Sequence, residues 1–538
     1  TSTWEDQNMV DRRMGAEQPS PKEAVVESDG RTRSRRRTPL AIGRRSVRRF
    51  GHRSRPTQLR TLAAVMAVIC GLGAYLAAAP ASTPGIGVAG AASNNSLAAS
   101  LSRASTSTRG IVGNKINVVF PVVSLNSLAG KEGFATDYEF SEQTKAIKFF
   151  VGLVNQKGIH GKKINPIIVS YDPTNEASMR ALCKDWTEGS PAAFAVIDGV
   201  GTWTGTDQLC ITQEGHTPLI SAWSTVTNWL QKGAPYLWWT GTDDAAILQA
   251  VVNWGLSAGL LGYGHKVAIV AGDRSSDQTA LNQYLLPDLQ RAGVTPLVET
   301  MAADPSETAE TNAQAPLVVQ KFKSEGITDV IPLVPFNAMY PYLSAETSDN
   351  YFPKLLLSDY EESISASLGL IPSPYEKALN GQQGVTTETL GGVDDSRPES
   401  KGGYDPGVRS CFTAWHKKYP QKVGFNHPQS YYIEEQGPVQ SWCTAIRLFA
   451  TAANGAGSTL NRRTFVEAMS RIKNFPGGLS PVWSFGPNKF YGPTKYQVVE
   501  IHNNVPPSSK CDLTSNGIPQ GTCWFQTRGW QPLPNVSG

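Results

Sequence analysis

From residue 112 onward, short apolar runs alternate with segments whose apolar positions recur every three or four residues. Ile116 to Val123 (INVVFPVV) is a run suited to a strand buried on both faces. Phe140, Thr144, Ile147, Val151 and Val154 follow at helical spacing, which predicts a helix closed by Gly158 in a left-handed cap. The alternation continues with a predicted strand over 164–171, helix 176–187, strand 193–197, helix 205–213 and strand 218–221. A second series gives helix 245–257, strand 266–271, helix 278–292, strand 295–300, helix 313–324 and strands 329–334 and 354–358. Two successive series of this kind imply an α/β fold with two parallel sheets, each covered by helices. No short internal repeat is visible, which argues against a solenoid.

The first 111 residues follow a different pattern. Thr61 to Ala79 (TLAAVMAVICGLGAYLAAA) is uncharged and mostly apolar, and as a helix it reaches about 28 Å, enough to cross a bilayer's hydrocarbon core. Twelve arginines and no acid lie between Arg31 and Arg60, whereas the seven acids of the first sixty residues fall between Glu5 and Asp29. By the positive-inside rule, residues 1–60 are expected to be a disordered, basic cytoplasmic tail and residues 61–80 a transmembrane anchor or signal segment. The Ala77-Ala78-Ala79 triplet leaves cleavage open. The arginines read as a topology signal facing anionic lipid, not as a nucleic-acid patch. Residues 81–111, rich in Ala, Ser, Thr and Gly, have too little apolar surface to offset their ordering entropy and read as a linker.

At 538 residues and a net charge of +4, the chain exceeds what one core usually supports. On this topology the body lies outside the cytoplasm, where the six cysteines beyond the apolar segment are expected to pair. Six cysteines allow about fifteen pairings, and neighbours in sequence give Cys183–Cys210, Cys411–Cys443 and Cys511–Cys523. The seven histidines show no metal-ligand spacing, and neither a Gly-x-Ser-x-Gly elbow nor a Cys-x-x-Cys pair occurs. Gly199-Val200-Gly201 opens like a dinucleotide loop, but the third glycine is displaced by one place. An enzyme, a cofactor and a metal are therefore not expected.

The segments VNQKGIHGKKINPIIVSYDPTNE (154–176) and AVIDGVGTWTGTDQLCITQEGHTPLISAWST (195–225) resemble type I periplasmic binding proteins of the leucine/isoleucine/valine family. Tyr236–Thr240 (YLWWT) resembles that family's first crossover between lobes, and Gln382–Thr387 (QQGVTT) its return crossover. The resemblance covers roughly residues 112–505. It implies a first lobe of about 112–237 plus 385–478, a second of about 238–384 plus 479–505, and hinging crossover strands. Residues 506–538 have no counterpart in it and form a C-terminal extension.

In parallel α/β sheets, ligands settle beyond the carboxyl ends of strands, where loops and helix N-termini present free N–H groups. The resemblance places Thr202, Trp223, Ser224 and Thr225 there as first-lobe contacts to a ligand's amino and carboxylate groups. It places Asp277, Phe336 and Asp359 on the second lobe, with Tyr431 or Tyr432 closing the first-lobe side. Each hydroxyl or acid reads equally well, taken alone, as a helix cap or turn residue. The implied function is non-enzymatic capture of a small carboxylate-bearing metabolite for an ABC permease, from a body outside the cytoplasm. A membrane-anchored sensor and a surface protein with a vestigial cleft are the alternatives.

Overall fold

Ile111–Val112 (β1) folds back on Lys115–Val123 (β2), and β2 takes parallel neighbours on both sides, which is why its Val118, Val119, Phe120 and Val122 are all buried. The computed structural model describes residues 101, 104–123, 140–171, 176–198, 206–221, 227–304, 307–360, 376–387, 406–420, 437–477, 481–502 and 523–534. The first sheet is completed by Lys163–Tyr171 (β3), Ala195–Asp198 (β4), Leu219–Ser221 (β5) and Leu237–Trp239 (β6), parallel in the order β3-β2-β4-β5-β6. Between them run helices Phe140–Lys157 (α1), Glu176–Glu188 (α2), Thr206–Leu209 (α3) and Thr227–Gly233 (α4). Gly158 ends α1 at φ 74°, a conformation open to glycine at little cost.

The second series begins with Asp244–Ser257 (α5), Val267–Gly272 (β7), Ser275–Ala280 (α6), Leu286–Arg291 (α7) and Leu297–Met301 (β8). It continues through Thr308–Glu325 (α8), Asp329–Leu333 (β9), Phe336–Ser348 (α9), Lys354–Ser358 (β10), Glu376–Leu379 (α10) and Gln383–Thr386 (β11). The chain then adds Pro406–Lys418 (α11), Gly437–Gly455 (α12) and Arg462–Arg471 (α13) to the first lobe, where α12 packs on α1 and β4. After the short strands Phe475–Pro476 (β12) and Val482–Trp483 (β13), Lys495–His502 (β14) enters the second sheet. That sheet has seven strands in the order β15-β14-β11-β10-β9-β7-β8, parallel from β11 to β8, with Cys523–Pro532 as β15.

Four differences from the sequence reading have physical causes. The buried stripe of α1 is Gln143, Ala146, Ile147, Phe150 and Val151, while Phe140 is exposed. The stripe is turned toward α12, whose Trp442 donates Nε1–H to Gln143 Oε1 at 3.1 Å. The predicted helix 278–292 is instead α6 and α7 joined by a π-helical turn, Leu281–Leu285, next to Pro287, which has no N–H to give the preceding turn. The C-terminal extension is partly a structural strand, because β15 pairs antiparallel along the whole length of β14. The linker is packed from Ala104 onward: Ala104 is fully buried, Ser105 N–H donates to Tyr236 Oη at 2.7 Å, and Arg463 Nε donates to the Ala104 carbonyl at 2.7 Å.

Cys183–Cys210 ties α2 to the π turn after α3, and Cys411–Cys443 ties α11 to α12, as expected from their order. Cys511 lies outside the described residues, so the third pair does too. No helix among the described residues is long and apolar enough to cross a membrane, and residues 61–80 lie outside them.

In the second lobe, Glu346 on α9 is fully buried, and neither carboxyl oxygen has a hydrogen bond of normal geometry among the described residues. Burial pushes its pKa well above the ordinary 4.5, against the pull of the neighbouring Tyr342 hydroxyl. The folded state therefore keeps the proton that the unfolded chain releases, and stability falls as pH rises above about 4.5. Denaturant unfolding from pH 5 to 8 should show Glu346→Gln gaining stability on the wild type as pH rises. A difference that does not change with pH would contradict this.

Candidate functional site

The chain leaves the first sheet for the second at the carboxyl end of β6 and leaves the second again at the carboxyl end of β11. Trp239, the last residue of β6, donates its N–H to the Phe490 carbonyl at 2.8 Å, and its carbonyl accepts from Gly492 N–H at 2.9 Å. Residues 240–243 then cross to α5, which packs on β10 and β11. The return crossover leaves β11 at Thr387, and the third, after β13, passes Phe490–Gly492 on its way to β14. The Thr242 hydroxyl donates to Thr387 Oγ1 at 2.8 Å, so the first two crossovers are bonded to each other.

Two buried charges hold this junction. Asp243 caps α5, accepting Ala246 N–H at 3.2 Å and the Thr227 hydroxyl at 2.8 Å. Burial raises its pKa to about 6, opposed by those bonds and by the Lys489 charge. Lys489 donates Nζ–H to the carbonyls of Ser484, Tyr491, Gly492 and Pro493 at 2.8, 2.6, 3.1 and 2.8 Å, and lies 3.9 Å from the Tyr491 ring centroid. Burial brings its pKa down to about 7.

On the second lobe, Asp359 follows β10. Its Oδ2 accepts Thr387 N–H at 2.6 Å and the Thr387 hydroxyl at 2.8 Å. Its Oδ1 is buried with no hydrogen bond of normal geometry among the described residues. Burial raises the Asp359 pKa, and the Thr386 and Thr387 bonds oppose the rise.

Asp277, on α6, is used differently. It is fully buried, with Arg274 Nε and Nη2 on its two oxygens at 2.8 and 2.7 Å and the Tyr360 hydroxyl on Oδ1 at 2.6 Å. A Cβ at Gly272 would lie 2.1 Å from Asp277 Oδ2, so glycine is needed at the end of β7. Asp277 thus braces the loop after β7 against the loop after β10, and both its oxygens are engaged inside the lobe. Phe336 opens α9, and its side chain lies outside the described residues. So do Thr202, Trp223, Ser224, Thr225 and Tyr431. At the strand ends leading to the loops of Thr202 and Ser224, Asp198 and Ser221 are fully buried, with Ser221 Oγ 3.5 Å from Asp198 Oδ2 and 3.4 Å from Gln208 Nε2.

The sequence reading missed Thr242, Thr387, Asp243, Arg274, Tyr360 and Lys489. Thr387 had a signal, since it closes the segment identified as the return crossover. The polar role of Lys489 had none, because its partners are backbone carbonyls.

Two lobes, each a parallel sheet flanked by helices, with three crossovers joining their carboxyl ends, define the type I periplasmic-binding-protein fold. The fatty acid ABC transporter substrate-binding protein of Thermomonospora curvata covers 80% of this chain and 95% of its own, at a TM-score of 0.56 and 14% identity. An ABC transporter solute-binding protein of R. palustris in complex with 4-hydroxybenzoate covers 78% and 98%, at 0.55 and 14%. A branched-chain amino acid ABC transporter protein of Thermus thermophilus with bound valine covers 79% and 98%, at 0.53 and 14%. No protein-family model matches the chain, and no curated protein matches its sequence.

The two acids should separate by experiment without any ligand. Asp277→Ala takes a fully buried carboxylate from the half-buried Arg274 and from the buried Tyr360 hydroxyl and should cost about 3 kcal/mol of stability. Asp359→Asn keeps an acceptor for Thr387 and should change stability by under about 1 kcal/mol. Equal losses in urea unfolding would contradict this division of roles.

Proposed function

We propose that the chain is an extracytoplasmic solute-binding protein that captures a small carboxylate-bearing metabolite, an amino acid or close analogue, between its lobes and delivers it to an ABC permease. The observation that carries this reading is the Asp359 carboxylate, which stands beside the crossovers with one oxygen bonded to the hinge and the other buried with no hydrogen bond of normal geometry among the described residues. A buried acceptor left unsatisfied costs roughly 1–3 kcal/mol, and a ligand ammonium or hydroxyl meets that need. The named ligands of the similar structures, a fatty acid, 4-hydroxybenzoate and valine, share a carboxylate, which supports the chemical class and leaves the rest of the molecule open. We assign the ligand carboxylate to Thr202, Trp223, Ser224 and Thr225, as the family resemblance implies, and the donor group to Asp359.

On this reading the arginine-rich residues 1–60 stay in the cytoplasm, residues 61–80 anchor or export the chain, and the body lies outside. The partners are a permease and a membrane, and neither a nucleic acid nor a cofactor takes part. Protease added to intact cells should degrade or release the body and spare the tail.

The functional test is thermal unfolding of the full-length protein with branched-chain amino acids, hydroxybenzoates and fatty acids. At about one hundred times Kd, a ligand adds roughly 2.7 kcal/mol, which raises the melting temperature by several degrees. Stabilisation that persists when the carboxylate is replaced by a neutral amide would overturn the class proposed here.

A further inference from the structure

Asp359 belongs to two structures at once. Its Oδ2 is committed to the return crossover through the Thr387 N–H and hydroxyl, and the Thr387 oxygen in turn accepts the Thr242 hydroxyl of the first crossover. Thr242 and Thr387 are both nearly inaccessible, at 4% and 2% exposure, so water does not compete for these bonds. The donors are ordered along the chain. Thr242 spends its only proton on Thr387, and Thr387 spends its own on Asp359.

We propose that Thr387, oriented by Thr242, is a positioning residue that fixes the Asp359 carboxylate with Oδ2 on the hinge and Oδ1 turned to the ligand, so that binding and hinge geometry are coupled through one group. The inference rests on the reading of Asp359 as a ligand contact and adds the residues that make it one. A carboxylate bonded by a single flexible partner rotates freely. Two bonds to one oxygen, from N–H and O–H of the same residue, leave the other oxygen a single direction. Ligand drawn to Oδ1 then pulls on a group already joined to two crossovers, giving it unequal contacts in open and closed arrangements, as any ligand-driven closure requires.

The charged groups around this chain, among the described residues, do not supply the same function. Asp277 is held by Arg274 and Tyr360, Asp243 caps α5, and Lys489 is bound by the carbonyls of its own loop. What keeps the Asp359 carboxyl from rising further under burial is the set of bonds from Thr386 and Thr387. Loss of the Thr387 hydroxyl must move its titration up.

The experiment uses the full-length protein with aspartate carboxyls labelled with carbon-13, the Asp359 signal being assigned by its loss in Asp359→Asn. Thr387→Val should raise the Asp359 midpoint, Thr242→Val should raise it less, and Thr387→Ser should restore it. With L-valine and 4-hydroxybenzoate as probes, Thr387→Val should weaken whichever binds by about tenfold at pH 7, and Thr387→Ser should recover most of that loss. An unmoved Asp359 midpoint in Thr387→Val overturns the positioning role whether or not either probe binds. So does unchanged probe affinity in Thr387→Val when Asp359→Asn abolishes binding. Full affinity in Asp359→Asn, by contrast, removes Asp359 from the ligand site and with it the functional reading on which the inference rests.

Discussion

An ammonium group taken out of water has to be met by acceptors, and Lys489 is met by four backbone carbonyls of the loop it belongs to. Those carbonyls belong to a stretch in which strand pairing changes from one sheet to the other and leaves peptide groups without regular partners. One side chain satisfies both sides of that account. With the loop held, Phe490 and Gly492 keep their bonds to Trp239, and β6 keeps an ordered neighbour on its outer side. The start of the first crossover is thereby set, and with it the position of Asp243 at the head of α5. The opposite charges of Asp243 and Lys489 each favour the ionised form of the other, which offsets part of the burial that drives both toward neutrality.

Much of the fold was legible because its strands and helices obey their periods. Strand 354–358 and the helix ending before Gly158 agree with the structure to within a residue, since apolar side chains buried on both faces leave little choice of register. The sequence reading failed where a local pattern answers to something distant. The stripe on α1 is set by Trp442, roughly 300 positions later, and no periodicity within the helix reports that partner. β15 was hidden for a related reason. It is an edge strand with half-exposed and exposed positions and two register irregularities against β14, so it lacks the clean alternation that identifies a strand facing one core.

The candidate site was less legible than the fold. Asp277 and Asp359 are both acids placed just after strands, and apart from Arg274, three residues before Asp277, nothing in their neighbours in sequence distinguishes them. The structure does, through partners far along the chain: Tyr360 lies 83 residues from Asp277, and Thr387 lies 28 from Asp359. Both oxygens of Asp277 are engaged within its lobe, whereas Asp359 keeps one without a hydrogen bond of normal geometry among the described residues, and the proposed ligand contact rests on that difference.

The segment that leads into the body joins it far from the cleft. Ser105 to Arg109 bonds to Tyr236, Glu188 and Arg462, and Arg462 reaches the carbonyls of Ala193, Gly215 and His216, just ahead of β4 and β5. All of these sit at the amino ends of the first sheet's strands, the edge opposite the crossovers. A pull on the chain upstream of Ala104 is therefore borne by Arg462 and Arg463 at the start of α13 and dissipated in the base of one lobe. On the function proposed above, a tether at residues 61–80 would load that lobe alone and leave the other to move on it like a free jaw on a fixed one.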